Sequence, residues 1–125
     1  MKKLITIDFD DTLCFDNDID KPNQKLIDYI FRMKEKDYRF LIVTARNREY
    51  NNLYAKTDIY DFLEKYNLPI TKVVYTNGNL KGNTLKDLKS VLHIDNDLEQ
   101  IDSCKKAGVK TFYIKYPSKK KWEDF

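Results

Sequence analysis

The chain alternates short apolar runs with stretches in which apolar residues recur every three or four positions. Residues 4–9, 39–44, 72–75, 91–94 and 109–114 have the length and β-branched content of strands. After the first of them, Leu26, Ile30 and Met33 give the one-sided spacing of a helix packed on a sheet, with Pro22 in its first turn and Asp20 near its cap. Ile59, Phe62, Leu63 and Tyr66 predict a second helix, capped by Thr57 or Asp58 and closed by Leu68-Pro69. Leu85, Leu88 and Leu92 predict a third, behind the loop TNGNLKGNT with its two glycines. Leu98, Ile101 and residues 104–107 predict a fourth, with Lys105 and Lys106 in its last turn and Gly108 as its stop. Strands alternating with helices build βαβ units, so the expected fold is a doubly wound α/β domain around five strands. In such sheets ligands gather outside the carboxyl ends of the strands, near the switch in strand order. The polar residues that close the strands are therefore the candidates for function.

The first strand end is the most charged. In LITIDFDDTL, residues 4–13, an apolar run delivers Asp8, Asp10 and Asp11 within four positions. In extended chain Asp8 and Asp10 share a side, and two carboxylates that close repel unless a cation lies between them. Hard oxygen ligands of this kind suit Mg2+, which also accepts substrate phosphate oxygens. Aspartates equally make solvated caps and turns, but the apolar run just before the cluster argues for a buried setting. The second strand ends in Thr44, whose hydroxyl suits a phosphate oxygen. Arg46 and Arg48 follow, as candidates for a bidentate phosphate contact or for plain surface charge. The fourth strand ends in Asp95-Asn96-Asp97, with Glu99 beyond. Asp95 is the candidate second metal acid, whereas Asp97 and Glu99 suit the cap and first turn of the next helix. Among Lys81, Lys86 and Lys89, Lys81 sits in the glycine-bearing loop and would be aimed at the strand ends; Lys86 is the second choice. His93, in an apolar strand and with no second histidine in the chain, reads as a packed side chain rather than a metal ligand.

Composition narrows the setting. A chain of 125 residues fits one domain over residues 1–125, with 115–125 as a tail, and 42% hydrophobic content argues against disorder. A net charge of +3 is too small to establish a nucleic-acid partner. No apolar stretch is long enough to span a bilayer and the first residues lack a signal-peptide core, so no membrane association and a cytoplasmic location are expected. Cys14 and Cys104 lie far apart, outside any CxxC spacing, and are expected as reduced thiols. The tail carries Lys119, Lys120, Lys121 and Trp122, which suit either a solvated terminus or contact with a phosphate backbone and a stacked base.

Taken in order, an apolar strand ending DxDxT (Asp8, Asp10, Thr12), a strand ending in Thr44, a lysine (Lys81) and an apolar strand ending in Asp95 resemble the signature of the haloacid dehalogenase (HAD) superfamily. The resemblance implies a Rossmann-like three-layer fold with a five-stranded parallel sheet in order 5-4-1-2-3. It implies a Mg2+-dependent phosphatase with Asp8 as nucleophile and Asp10 as general acid/base. It makes Asp8, the Asp10 backbone carbonyl and Asp95 metal ligands, and it makes Thr44 and Lys81 the phosphate-binding residues; beside these, Asp11 and Arg46 are further candidates for phosphate contact. Two positions depart from the pattern. Asp11 stands where the family often has Gly, and Asn96 stands where it often has a second Asp. Asn96 can still ligate through its carbonyl oxygen, with Asp97 or Glu99 through water as alternatives. A phosphate-receiver fold would need its phosphorylated Asp at the third strand, which here ends in Tyr75-Thr76.

The stretches after Asp10 and between residues 45 and 72 are too short for an inserted cap domain, so a capless, open site is expected. Such a site suits a large phosphorylated substrate, such as a sugar phosphate, a polysaccharide or a nucleic-acid end, or a homo-oligomer whose neighbour covers it. Two classes of function remain: a phosphatase, including a polynucleotide 3′-phosphatase, and a non-catalytic phosphate- or nucleic-acid-binding module.

Overall fold

The computed structural model describes residues 2–115. Lys119, Lys120, Lys121 and Trp122 lie outside them. The described chain runs β1 (Lys3–Ile7), α1 (Gln24–Glu35), β2 (Tyr38–Thr44), α2 (Ile59–Lys65), β3 (Ile70–Tyr75), α3 (Gly82–Leu88), β4 (Ser90–Asp95), α4 (Leu98–Lys106) and β5 (Thr111–Tyr113). A short turn at Phe15–Asn17 and one π-helical turn at Tyr50–Tyr54 punctuate the loops.

All four strand pairings are parallel, and the order is β3-β2-β1-β4-β5, the expected one. β1 lies at the centre. Leu4 through Ile7 are buried, as a strand covered on both faces requires. The edge strands β3 and β5 are far more exposed. Helices cover both faces. On one, α1 and α2 bring Leu26, Ile27, Ile30, Ile59, Phe62 and Leu63 against Ile5, Ile7, Phe9 and Ile42. Phe9 and Phe62 meet edge to face at 5.2 Å. The other face holds a smaller cluster of Val43, Leu85, Cys104 and Val109 under α3 and α4. The chain passes from β1 to β2 on one side and later crosses to β4 on the other, so the switch point is the β1–β4 crevice. Among the described residues no cap domain is inserted, and no helix is long and apolar enough to cross a membrane.

Element boundaries depart from expectation where local chemistry intervenes. Helix α1 is capped by Asn23, not by Asp20. The Asn23 side chain accepts from the Leu26 N–H and also donates to the Thr12 carbonyl, tying α1 to the loop after β1. Pro22 instead pairs across an antiparallel bridge with Cys14, and Asp20 pairs with Lys65. Leu92 belongs to β4 rather than to the third helix, because Lys89 in the left-handed conformation ends α3. Asp58 and Asp97 cap α2 and α4. β5 is shorter than its apolar run; Val109 is taken into the helix stop, where its N–H bonds the Cys104 carbonyl.

Both cysteines are free and buried. Burial, with the charge of Asp10 adding to it, pushes the Cys14 thiol up to about 12, and burial beside Asp95 pushes Cys104 up to about 11. Native protein at pH 8 should therefore be inert to an aromatic disulfide reagent. Denaturation in guanidinium should release two reactive thiols, and rapid reaction of the native chain would show that one of the two faces is open.

Candidate active site

Three strands deliver polar residues to the switch point. β2 ends at Thr44 and β4 at Asp95, while the chain leaves β1 at Asp8, whose N–H still bonds the Ile94 carbonyl. The crevice above them has a volume of about 460 Å3, and Asp8, Asp10, Asp11, Thr44, Lys81, Asp95 and Asn96 all line it. An apolar groove of about 500 Å3 beside α1, lined by Leu26, Tyr29, Leu92 and Phe112 among others, holds no acid, histidine or cysteine. The chemistry therefore belongs to the first.

Beyond Asp8 the chain turns back on itself. The Phe9 carbonyl accepts from the N–H groups of Thr12, Leu13 and Cys14, and Asp11 takes a left-handed φ of 56°. That conformation favours Gly, Asn or Asp, which accounts for Asp at a position where Gly is frequent in the resembling family. The turn buries Thr12, whose hydroxyl donates to Asp8 Oδ2 at 2.9 Å.

Lys81 is 1% exposed, yet its ammonium lies between two acids, 2.8 Å from Asp8 Oδ1 and 2.8 Å from Asp95 Oδ2. Lys86 and Lys89 are exposed, so the structure separates the three lysines decisively. Two devices hold Lys81 in place. Its backbone N–H bonds the buried Gln100 side chain, and Gly82 packs so closely on α4 that an added Cβ would meet the Ser103 carbonyl oxygen at 2.4 Å. Asp95 is saturated. Oδ1 accepts the N–H groups of Asn96 and Asp97, and Oδ2 accepts from Lys81 and meets His93 Nε2 at 2.8 Å. Burial would raise the Asp95 carboxyl, but the His93 hydrogen bond and the Lys81 charge outweigh it and hold it at about 2. Asp8 goes the other way. Burial raises it to about 7; the nearby Asp95 charge adds to that, while Lys81 and the Thr12 hydroxyl oppose it.

Asp10 occupies the mouth of the crevice, with its side chain 42% exposed. Arg46, a candidate phosphate ligand in the sequence, is placed differently. Its side chain is 3% exposed, and the guanidinium grips Asp10 in bidentate fashion, at 2.8 Å from Nε and 2.7 Å from Nη2. The remaining protons go to Asn17, Asn51 and the Thr57 carbonyl, so all five N–H donors are engaged and none is left for a phosphate. Phe9 and Tyr50 lie against the guanidinium at 5.0 and 5.3 Å. Thr44 accepts the Arg46 N–H, which leaves its own hydroxyl proton for the crevice. Arg48 stands over the Tyr75 ring instead.

Among the described residues no three acidic, histidine or cysteine side chains converge on one point. A mixed set of oxygens does. The end of the Asn96 amide nearest the crevice lies 3.0 Å from Asp8 Oδ2, 3.1 Å from the Asp10 carbonyl oxygen and 3.2 Å from Thr12 Oγ1. Turned with nitrogen toward this point, the amide has two protons to share among the three; turned with oxygen, it accepts from the Thr12 hydroxyl and stands beside Asp8 Oδ2 and the Asp10 carbonyl as a third oxygen that a cation could join. One carboxylate, one carbonyl and one carboxamide, with room left for substrate oxygens and water, fit the preferences of Mg2+. Asn96, rather than Asp95, is the side chain that faces Asp8 Oδ2 and the Asp10 carbonyl. Sequence reasoning missed the tasks of Arg46 and His93, since nothing in one dimension says which partners a strand-borne side chain will meet.

Fold and crevice define a class first: a Rossmann-like α/β domain with an acid-and-lysine site at its switch point. The model of the haloacid dehalogenase-like hydrolase family matches residues 5–110, and the chain belongs to that family. No curated protein matches it. Among solved structures it is similar, at a TM-score of 0.72 and 16% identity, to a chain of the Pnkp1/Rnl/Hen1 complex, with 93% of this chain and 47% of that one covered. A chain of the Pnkp1/Rnl/Hen1 RNA repair complex is similar at the same score and identity, over 94% and 44%. This chain thus spans about half the length of either. A predicted HAD-like family hydrolase from Porphyromonas gingivalis is similar over 94% of this chain and 93% of its own, at a TM-score of 0.58 and 12% identity. At these identities the likeness is one of fold.

Asn96→Asp should set a further negative charge against Asp8 and the Asp10 carbonyl while removing an amide donor. In EDTA it should lower stability by about 1–3 kcal/mol, and Mg2+ should stabilise the variant more than the wild type. Thermal melts with EDTA and with Mg2+ measure both; equal Mg2+ shifts would remove Asn96 from the metal shell.

Proposed function

We propose that the chain is a Mg2+-dependent phosphatase that hydrolyses phosphomonoesters through an aspartyl-phosphate on Asp8. The observation that carries this reading is the Lys81 ammonium held 2.8 Å from Asp8 at the switch point, beside the mouth-facing Asp10. Lys81 gives two of its protons to Asp8 and Asp95; the third serves a phosphoryl oxygen, together with the Thr44 hydroxyl. The Asp8 carboxylate attacks phosphorus as the ester oxygen departs with a proton from Asp10. Asp10 then takes a proton from water, whose oxygen attacks the acyl phosphate, releasing inorganic phosphate and restoring Asp8. Arg46 fixes the direction of Asp10, while each Asp10 oxygen keeps a second lone-pair direction for the travelling proton. Asp8, the Asp10 carbonyl and Asn96 would hold the metal, which when bound supplies positive charge against the developing charge on phosphate.

Hydrolysis of an aryl phosphate should require Mg2+ and vanish in Asp8→Asn; wild type and variant equally inert across a broad phosphate panel would favour a binding module instead. Arg46→Lys cannot grip Asp10 at two points. It should slow alkyl phosphates about tenfold or more, yet slow aryl phosphates less, because a good leaving group depends less on its proton.

A substrate class follows from the rim. Tyr50 and Tyr54 are 39% and 69% exposed on the π-helical turn, and with Asn47, Arg48, Glu49 and Asn77 they line a hollow one side chain away from Asp10. Exposed rings beside a basic residue suit stacked bases of a single strand, worth about 1–3 kcal/mol each. Likeness to a chain of an RNA repair complex supports the same class. In this reading the substrate is a phosphorylated polynucleotide end. Tyr54→Ala should raise KM for a 3′-phosphorylated oligonucleotide about tenfold and leave KM for the aryl phosphate in place; an equal effect on both, or on neither, rules out stacking on this residue.

A further inference from the structure

A chain of polar side chains runs behind the crevice, where an ordinary sheet core would be apolar. Ser90 Oγ lies 2.8 Å from Thr6 Oγ1, Thr6 Oγ1 2.8 Å from His93 Nδ1, and His93 Nε2 2.8 Å from Asp95 Oδ2. Thr6 and His93 are fully buried in the central strands β1 and β4, and register places them opposite each other. With a neutral ring the hydrogen bonds leave one arrangement. The Asp95 carboxylate already accepts two backbone N–H groups on Oδ1 and the Lys81 ammonium on Oδ2, so His93 meets it as a donor and Nε2 carries the imidazole proton. Nδ1 is then the acceptor, and Thr6 must donate to it. Ser90 directs its proton to the Leu92 carbonyl at 2.9 Å or to Thr6. Every partner is satisfied with a neutral ring, which suits a site in the sheet interior.

We propose that His93 is a positioning residue: locked in its Nε2–H tautomer by Thr6, it anchors Asp95 Oδ2 and so aims Lys81 at Asp8 and the phosphoryl group. The inference rests on the phosphatase reading for what Lys81 does, but not for the lock itself. Asp95 Oδ2 divides its two acceptor directions between His93 and Lys81. If His93 is lost, Lys81 becomes the sole donor to that oxygen, and the ammonium is drawn toward Asp95 and away from the crevice. No apolar residue can fill this role, although an apolar residue is what a sheet core ordinarily holds at such a position.

His93→Gln keeps a nitrogen donor near the Nε2 position, and His93→Leu keeps the bulk alone. With Mg2+ present, His93→Leu should weaken the binding of inorganic phosphate about tenfold and cut kcat by at least as much, the range expected when one hydrogen bond to a buried charge is removed. His93→Gln should stay within about threefold of wild type in both. A side chain that merely fills the core would give the reverse order, with leucine better tolerated than glutamine, and that order overturns the proposal. Since the chain holds one histidine, a 15N-histidine NMR spectrum of the wild type should show the Nε2–H tautomer alone; an Nδ1–H tautomer or an imidazolium at neutral pH would equally overturn it. Should His93→Leu fail to fold, Thr6→Val removes only the hydroxyl and keeps the shape. It should weaken phosphate binding in the same direction, and wild-type affinity would reject the lock. A protein that binds phosphate in the expected order but turns over no ester would sink the phosphatase reading and keep the role of His93. Turnover with leucine as good as glutamine would do the opposite. No phosphate binding by the wild type would overturn both.

Discussion

The Lys81 ammonium between Asp8 and Asp95 is the interaction on which the rest of the site depends. Three charges are withdrawn from water with almost no exposure, an arrangement that persists only when each group is fully hydrogen-bonded. Two carboxylates and one ammonium leave an excess of one negative charge. The fold answers it from several sides: the Thr12 hydroxyl on Asp8, two backbone N–H groups and His93 on Asp95. The answer is uneven. Asp95 is held at about 2, whereas burial leaves Asp8 raised to about 7, the one acid of the pair still short of positive charge. That shortage lies on the side where Asp8 Oδ2, the Asp10 carbonyl and Asn96 converge, which is where a divalent cation would relieve it.

Packing serves this arrangement at a distance. Gly82 lets α3 approach α4 so closely that no side chain would fit, and the contact sets the start of the helix that follows Lys81. Gln100, buried on α4, holds the Lys81 backbone. The left-handed Asp11 closes the turn after β1 and brings Thr12 back beneath Asp8. Gly82 contributes by lacking a side chain, Gln100 and Thr12 by being polar and Asp11 by its left-handed backbone, and none of these would be chosen for a sheet-and-helix core judged by hydrophobic content alone.

Asp10 and Asp8 differ in setting as sharply as they would differ in task. Asp8 is sunk among fixed partners, while Asp10 stands half-open at the mouth in the grip of a buried arginine. The arginine itself lies against two aromatic rings and is anchored to three other residues, so its position is set by the β1–α1 and β2–α2 segments. Among the described residues there is no lid to orient the acid, and here these two connecting segments take over that work.

Much of this was legible in one dimension, for a physical reason. Strand and helix periodicity follows from burial of one face or two, so the five strands, the four helices and the capping residues Asp58 and Asp97 could be read from local spacing. Asp8, Thr44 and Asp95 stood out because polar residues at the ends of apolar strands are conspicuous. Local patterning misplaced the start of α1, since Asn23 wins the cap by also reaching the Thr12 carbonyl, a contact between distant segments. The sequence already ranked Lys81 ahead of Lys86, but the burial of Lys81 between Asp8 and Asp95, the capture of Asp10 by Arg46 and the hydrogen bond from Thr6 to His93 appear only in the tertiary structure. Hydrogen-bond partners as far apart as Asp10 and Arg46, 36 residues, or Thr6 and His93, 87 residues, leave no periodic trace. The sequence by itself determined which groups could do chemistry; the parallel pairing of β1 with β2 and β4 determined which of them meet.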